Sequence, residues 1–273
     1  MSNKPLVQRL FDVLTPPQEA PNTPFGLFEA GLLCTIAVGL TIAHFGGSET
    51  TFLSWFGDSL ARAAQADFKA VGIILTASAR SHPYSGLYGL AHWVFFCVVG
   101  YVVLPVIYLK LCGRRIRDMY LSWSGFSEHI RLYALLYALV MIPVVIVSFS
   151  PSYQAIYPFY QNASRSYFDL IAWELVYGIQ FFALEFLFRG VFLAGLKRWA
   201  GFGAVFIMLI PYCMLHFLKT GSESIGAIIA GIILGSLAMK YRSIWGGILL
   251  HWLVAISMDV LSLLQQGRLP TKW

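Results

Sequence analysis

Long apolar blocks alternate with short polar and basic stretches along this chain, and the block lengths predict membrane-spanning helices rather than a water-soluble core. The first block, residues 25–45, contains one acid, Glu29, near its start and ends at Gly46-Gly47. Between residues 51 and 79 the charges Asp58, Arg62, Asp67 and Lys69 recur among apolar positions, a pattern that predicts an amphipathic interfacial helix rather than a span. Further blocks follow at 86–111, 130–149, where Pro143 predicts a kink, and 167–196, after a tyrosine-rich loop at 150–166. Residues 202–217, interrupted by Pro211, and 225–239 are short for spans, and the last block is 244–264. Gly231 and Gly235 stand in GxxxG spacing, which lets helices approach closely. The prediction is an all-α polytopic transmembrane bundle of about seven spans, with six to eight compatible with the pattern. Its expected divisions are a cytoplasmic tail at 1–24, N-terminal helices over 25–165, a core carrying the chemistry at 166–264 and a tail at 265–273.

Composition supports the same class, since 58% of the 273 residues are hydrophobic and only 12% are charged. The net charge of +6 does not point to nucleic acid, because the basic residues sit in clusters between apolar blocks. Lys110 with Arg114, Arg115 and Arg117, then Lys197 with Arg198, then Lys240 with Arg242 read as cytoplasmic anchors. The expected location is therefore a cell membrane crossed several times, with the N-terminus inside. The small size and the lack of a transit-like segment lean toward a bacterial cytoplasmic membrane. Cys34, Cys97 and Cys213 lie in apolar blocks and no CxxC pair occurs, so neither a disulfide framework nor a cysteine metal site is expected.

Against this background the run Phe181-Phe182-Ala183-Leu184-Glu185-Phe186-Leu187-Phe188-Arg189-Gly190 places a carboxylate and a guanidinium where hydrocarbon penalises both. Each charge near a bilayer centre costs about 2.5–3.5 kcal/mol, so the two residues need a partner or a polar enclosure. Four residues apart on a helix, Glu185 and Arg189 share a face, with the acid in the favourable N-terminal position. Glu174, eleven residues before Glu185, falls on that face too. His216 and His251 add ionisable groups from the next helices, and Asp259 lies two turns beyond His251. At about 12 Å along the axis it reaches that histidine only through a bend or a water. His44, His82, His92 and His129 match no pattern and read as interface or loop residues.

Three short motifs carry a resemblance. Leu184-Glu185-Phe186-Leu187-Phe188-Arg189, Tyr212-Cys213-Met214-Leu215-His216 and His251-Trp252-Leu253-Val254-Ala255 are similar, in order and spacing, to the EExxxR, FxxxH and HxxxN motifs of the CAAX protease and bacteriocin-processing (CPBP, or Abi) family of intramembrane proteases. Three departures stand out: Leu184 for the first glutamate, Tyr212 for phenylalanine and Ala255 for asparagine. The resemblance implies an intramembrane endopeptidase acting on a peptide or membrane-protein substrate within the lipid bilayer, with no nucleic-acid partner. It implies water activation by Glu185 and His216, an oxyanion held by His251, and Arg189 keeping Glu185 charged and oriented. Glu174, Tyr212, Glu223 and Asp259 are candidate supporting residues. Either no cofactor is needed or Glu185, His216 and His251 hold zinc, and both readings stay open because two histidines and a carboxylate resemble catalytic zinc ligation although no HExxH occurs. Leu184 and Ala255 also suit a catalytically silent relative that binds a partner as an immunity or scaffold protein would. A proton-coupled transporter is a third reading, for which no inverted repeat is seen.

Overall fold

The computed structural model describes residues 23–63, 82–217 and 219–273. Among these, all regular structure is helical apart from one isolated bridge between Leu121 and Ser243. Helix α1 (Leu27–Gly46) opens on the Glu29 carboxylate, which accepts the Gly26 N–H at 3.0 Å. The lone acid of the first apolar block is thus a cap on the orphan amides of the helix start. Helix α2 (Glu49–Ala63) buries Phe52, Leu60 and Ala61 and exposes Trp55 and Phe56. The remainder of the amphipathic stretch, with Asp67 and Lys69, lies outside the described residues, as does nearly all of the expected N-terminal tail.

Helices α3 (Ser85–Leu111), α4 (Ile130–Val147), α5 (Tyr167–Ala200), α6 (Gly203–Met214), α7 (Gly221–Tyr241) and α8 (Trp245–Gln265) complete the bundle. Six of the eight, namely α1, α3, α4, α5, α7 and α8, are long and apolar enough to cross a membrane, and α6 is a shorter apolar helix. The chain is therefore a multi-pass helical membrane protein. One expectation is corrected: the block at 225–239 is not short for a span, because α7 starts at Gly221 and runs for 21 residues. Its start is set by Thr220, whose hydroxyl accepts the Glu223 N–H at 3.3 Å, and the polar residues of this first turn hid it from the apolar count. Helix α6 stays short, at 12 residues, with Pro211 inside it.

Helix α5 is the axis of the bundle. Its 34 residues would extend about 51 Å as regular α-helix, well beyond the roughly 30 Å hydrocarbon thickness. At its start Ser166 accepts the Asp169 N–H at 3.1 Å, while the Asp169 carboxylate takes Arg165 Nε at 2.8 Å and the Tyr160 hydroxyl at 2.8 Å. At its end Gly201 adopts φ +55°, and its N–H donates to Lys197 O at 2.8 Å, which turns the chain into α6. Between these ends the helix widens into a π segment, Phe186–Phe192, in which every residue is buried. Helix α5 packs chiefly on α3 and α8, α8 on α4 and α5, α6 on α7, and α1 on α3.

Where α1 crosses α3, Gly39 and Gly100 meet so closely that a Cβ on either would run into the carbonyl of the other. On the basic side the α3–α4 and α7–α8 loops join: Ile244 N–H donates to Tyr120 O at 2.9 Å and Ser122 N–H to Arg242 O at 3.3 Å. Because the Gly39–Gly100 contact is backbone against backbone, no side chain can rotate away to make room. Gly100→Leu should lower stability by about 1–3 kcal/mol, read as a lower unfolding midpoint in detergent. Gly203→Ala, whose added methyl meets nothing within 4 Å, should leave the midpoint unchanged or raise it.

Candidate active site

The candidate site forms where α5, α6 and α8 bring their polar side chains together inside the apolar bundle. Glu185 ends the regular α-helical part of α5 and Arg189 lies in the π segment that follows, both with no exposed surface. Arg189 Nη1 lies 3.1 Å from Glu185 Oε1, a charge contact without the alignment of a hydrogen bond. The guanidinium stacks instead on Tyr212 of α6, with Cζ 3.9 Å from the ring centroid. The same Glu185 Oε1 lies 2.7 Å from Nδ1 of His251 on α8. A carboxylate can only accept here, so Nδ1 carries the hydrogen, and in the neutral ring Nε2 is the acceptor. The Tyr212 hydroxyl donates to it from the other side at 3.0 Å. The imidazole also stacks on Phe181 at 5.6 Å between centroids.

Small residues make this approach possible. At Gly247 a Cβ would collide with Glu185 Oε2, so only glycine lets the carboxylate lie against the backbone of α8. The neighbouring Gly246 leaves room in the same way for the Tyr133 ring of α4. Gly231 of α7 makes space for Leu209 and Tyr212, and Gly235 for Met208 and Val205, which is the work of the GxxxG spacing.

His216 lies in the turn beyond α6, outside the spanning helices. Its Nδ1 is 3.1 Å from Tyr212 O. A carbonyl can only accept, so this Nδ1 carries the hydrogen and Nε2 is left with a lone pair. Burial, reinforced by the Lys219 ammonium, pushes the His216 imidazole down to about 4. The Tyr212 ring contacts both histidines, with centroids 5.1 Å from His216 and 6.2 Å from His251.

The structure thus joins Glu185, Arg189, Tyr212 and His251 directly and links His216 to them through Tyr212. The expected supporting carboxylates go elsewhere. Glu223 accepts the Tyr157 hydroxyl at 2.6 Å and pairs with Lys219 at 3.6 Å, so it does not assist Glu185. Glu174 faces α8 as its spacing from Glu185 predicts, but there it lies against Asp259, not against the Glu185 pair. Asp259 accepts Trp173 Nε1 at 2.7 Å and does not orient His251, whose two ring nitrogens are held by Glu185 and Tyr212. Leu184 belongs to the main apolar cluster with Leu187, Phe188 and Tyr212, and Ala255 packs with Trp173, Tyr177 and Phe181. Sequence reasoning missed the clearance role of Gly247, whose only signal was its place in a Gly-Gly pair four residues before a motif histidine.

Glu185, His216 and His251 do not form the donor set that zinc would need. Among the described residues no three His, Cys, Asp or Glu side chains are grouped to hold a metal ion, and His251 spends both nitrogens on protein partners.

A helical membrane protein with an acid, a base and a hydroxyl in contact inside its bundle is the class that fold and site define. Residues 166–257 match the family model described as Rce1-like, type II CAAX prenyl endopeptidase Rce1-like. That segment, from the cap of α5 into α8, is similar to the CAAX protease family and contains all three motifs. No curated protein and no solved structure matches the chain.

The His216 environment sets a pH dependence. Its imidazole titrates at about 4 in the fold against 6.5 ordinarily, so between those values the unfolded chain binds the extra proton. Stability from this site is complete above 6.5, falls as pH drops through the window, and is lost below 4. Unfolding midpoints measured across that range in detergent should fall less steeply for His216→Gln than for the wild type.

Proposed function

We propose that the protein is an intramembrane endopeptidase that hydrolyses a membrane-associated peptide or protein. The observation that supports this most is the His251 imidazole held between the Glu185 carboxylate and the Tyr212 hydroxyl within the family-matched segment. An acid, an imidazole and a hydroxyl in sequence are the arrangement in which a base is oriented and its protonated form stabilised. Glu185 is fully enclosed and its Oε1 serves His251 and Arg189, which suits it to hold the imidazole rather than to meet water itself. The His251 side chain keeps 18% of its surface exposed and so has access to the reaction.

In this mechanism a water molecule donates one hydrogen bond to His216 Nε2, an acceptor that carries no proton at neutral pH. The water oxygen attacks the scissile carbonyl carbon as its other proton passes to His251. Glu185 stabilises the imidazolium, and the positive charge lies beside the oxygen that becomes negative in the tetrahedral intermediate. When the C–N bond breaks, His251 returns the proton to the leaving amine. Arg189, stacked over the Tyr212 ring, keeps Glu185 ionised and pointed at His251. Leu184 cannot join this chemistry, and its place in the apolar cluster keeps it away from water.

The family description makes a prenylated CAAX peptide the first substrate to test, beside a broad peptide library. With protein reconstituted in liposomes, Glu185→Gln, His216→Ala and His251→Ala should each lower kcat by roughly 10²–10⁴-fold. A chelator should leave wild-type cleavage unchanged. Full activity in Glu185→Gln, or no cleavage of any peptide by well-folded wild type, would overturn the reading.

A further inference from the structure

We infer that the Tyr212 hydroxyl is a proton relay between the attacking water and His251, so that Glu185, His251 and Tyr212 act as one hydrogen-bonded chain. The inference rests on the proposed hydrolytic reading and assigns the atom that first receives the proton. At rest His251 Nε2, the only ring atom free to take a proton, is covered by the Tyr212 hydroxyl at 3.0 Å. Nδ1 is committed to Glu185 at 2.7 Å. A proton reaching the imidazole therefore passes through Tyr212 Oη unless the tyrosine moves away, and the tyrosine is held.

Three contacts hold it. Its ring lies under the Arg189 guanidinium at 3.9 Å, edge-on to Phe188 with centroids 5.6 Å apart, and in the space left by the missing side chain of Gly231. The backbone carbonyl of the same residue fixes His216 at 3.1 Å. The ring consequently contacts both imidazoles, with centroids 5.1 Å from His216 and 6.2 Å from His251, and in this relay the water held by His216 hands its proton to the hydroxyl on that ring. No competing donor comes from the third motif, since Ala255 is apolar and lies among Trp173, Tyr177 and Phe181.

The step balances without any further reactant. Water's oxygen forms its bond to the carbonyl carbon, and the O–H bond of that water breaks as its proton goes to Tyr212 Oη. The original Tyr212 O–H bond breaks as that proton goes to His251 Nε2. Tyrosine ends neutral, the imidazole ends protonated against Glu185, and the negative charge sits on the former carbonyl oxygen. Arg189 over the ring face favours the negative charge that builds on the phenol during the double transfer.

Tyr212→Phe tests this with little threat to the fold, because the ring and its contacts stay. In the liposome assay kcat should fall about 100-fold or more with KM unchanged. Replacing Tyr212 by a fluorinated tyrosine, whose phenol is more acidic, should move the pH profile of kcat toward lower pH, which a packing role would not do. A kcat retained in Tyr212→Phe, or lost while the fluorotyrosine profile stays in place, overturns the relay. Nitrogen NMR of labelled histidine in the detergent-solubilised protein reads the chain without any substrate. Tyr212→Phe should shift the His251 Nε2 resonance and leave the Nδ1 proton bonded to Glu185. An unmoved Nε2 overturns the relay even if no cleavable peptide is found, whereas a shifted Nε2 with an inactive wild type supports the chain and removes only the hydrolytic reading.

Discussion

The contact of Arg189, Glu185 and His251 constrains everything around it, because both formal charges are fully enclosed. Moving such groups out of water costs several kcal/mol each, and mutual attraction compensates only when the partners are fixed and close. Removing one partner alone would leave the other charge stranded, at a cost of about 3–5 kcal/mol. Several features answer that demand together. The π segment begins directly after Glu185 and carries Arg189 within a fully buried turn. Such widened turns are found where a helix must aim a functional side chain. Tyr212 covers the guanidinium with its π face, and Gly247 lets α8 come close enough for His251 to reach the carboxylate.

The same antiparallel contact of α5 with α8 holds a second polar layer. Glu174 lies against Asp259 a few turns away from Glu185 and His251, with Trp173 donating to Asp259 and Trp252 donating to the Glu174 carbonyl. The eleven-residue step from Glu174 to Glu185 on α5 faces the eight-residue step from Asp259 back to His251 on α8, so an acid–histidine contact and an acid–acid contact follow one another along the same pair of helices. The stripe of ionisable residues on α5 thus has two distinct neighbourhoods. Only the one nearer the basic loops includes histidines. The other is closed by aromatic side chains from the 150–166 region, among them Tyr153, whose hydroxyl donates to Met258 O at 2.8 Å, and Tyr157, which binds Glu223.

Much of the bundle was legible in the chain because apolar length is a strong signal. Ser85–Leu111 and Trp245–Gln265 fall within a residue or two of the blocks that predict them. The start of α7 was not, since Gly221, Ser222, Glu223 and Ser224 are polar, and the legible sign was instead the Thr220–Glu223 cap. The Glu185–Arg189 pair followed from helical spacing alone. Which histidine meets Glu185 did not: sequence separation does not decide between positions 216 and 251, and the packing of α8 against α5 selects His251. The separation of Asp259 from His251 was readable as an axial distance, and the structure supplies the nearer partners that make a long reach unnecessary.

The two motif departures that most weaken an analogy by sequence have different physical meanings in the fold. Leu184 precedes Glu185, so on a helix its side chain points about 100° away, and here that direction is the main apolar cluster. A carboxylate there would need its own partner inside that apolar cluster, whereas leucine joins it without one. Ala255, one turn beyond His251, packs in the aromatic cluster with Trp173, Tyr177 and Phe181. The third departure works in the opposite sense, because tyrosine at 212 adds a hydroxyl that reaches His251. The apolar residues at 184 and 255 are thus accompanied by polarity gained at 212, and two departures that read as losses stand beside one that reads as a gain.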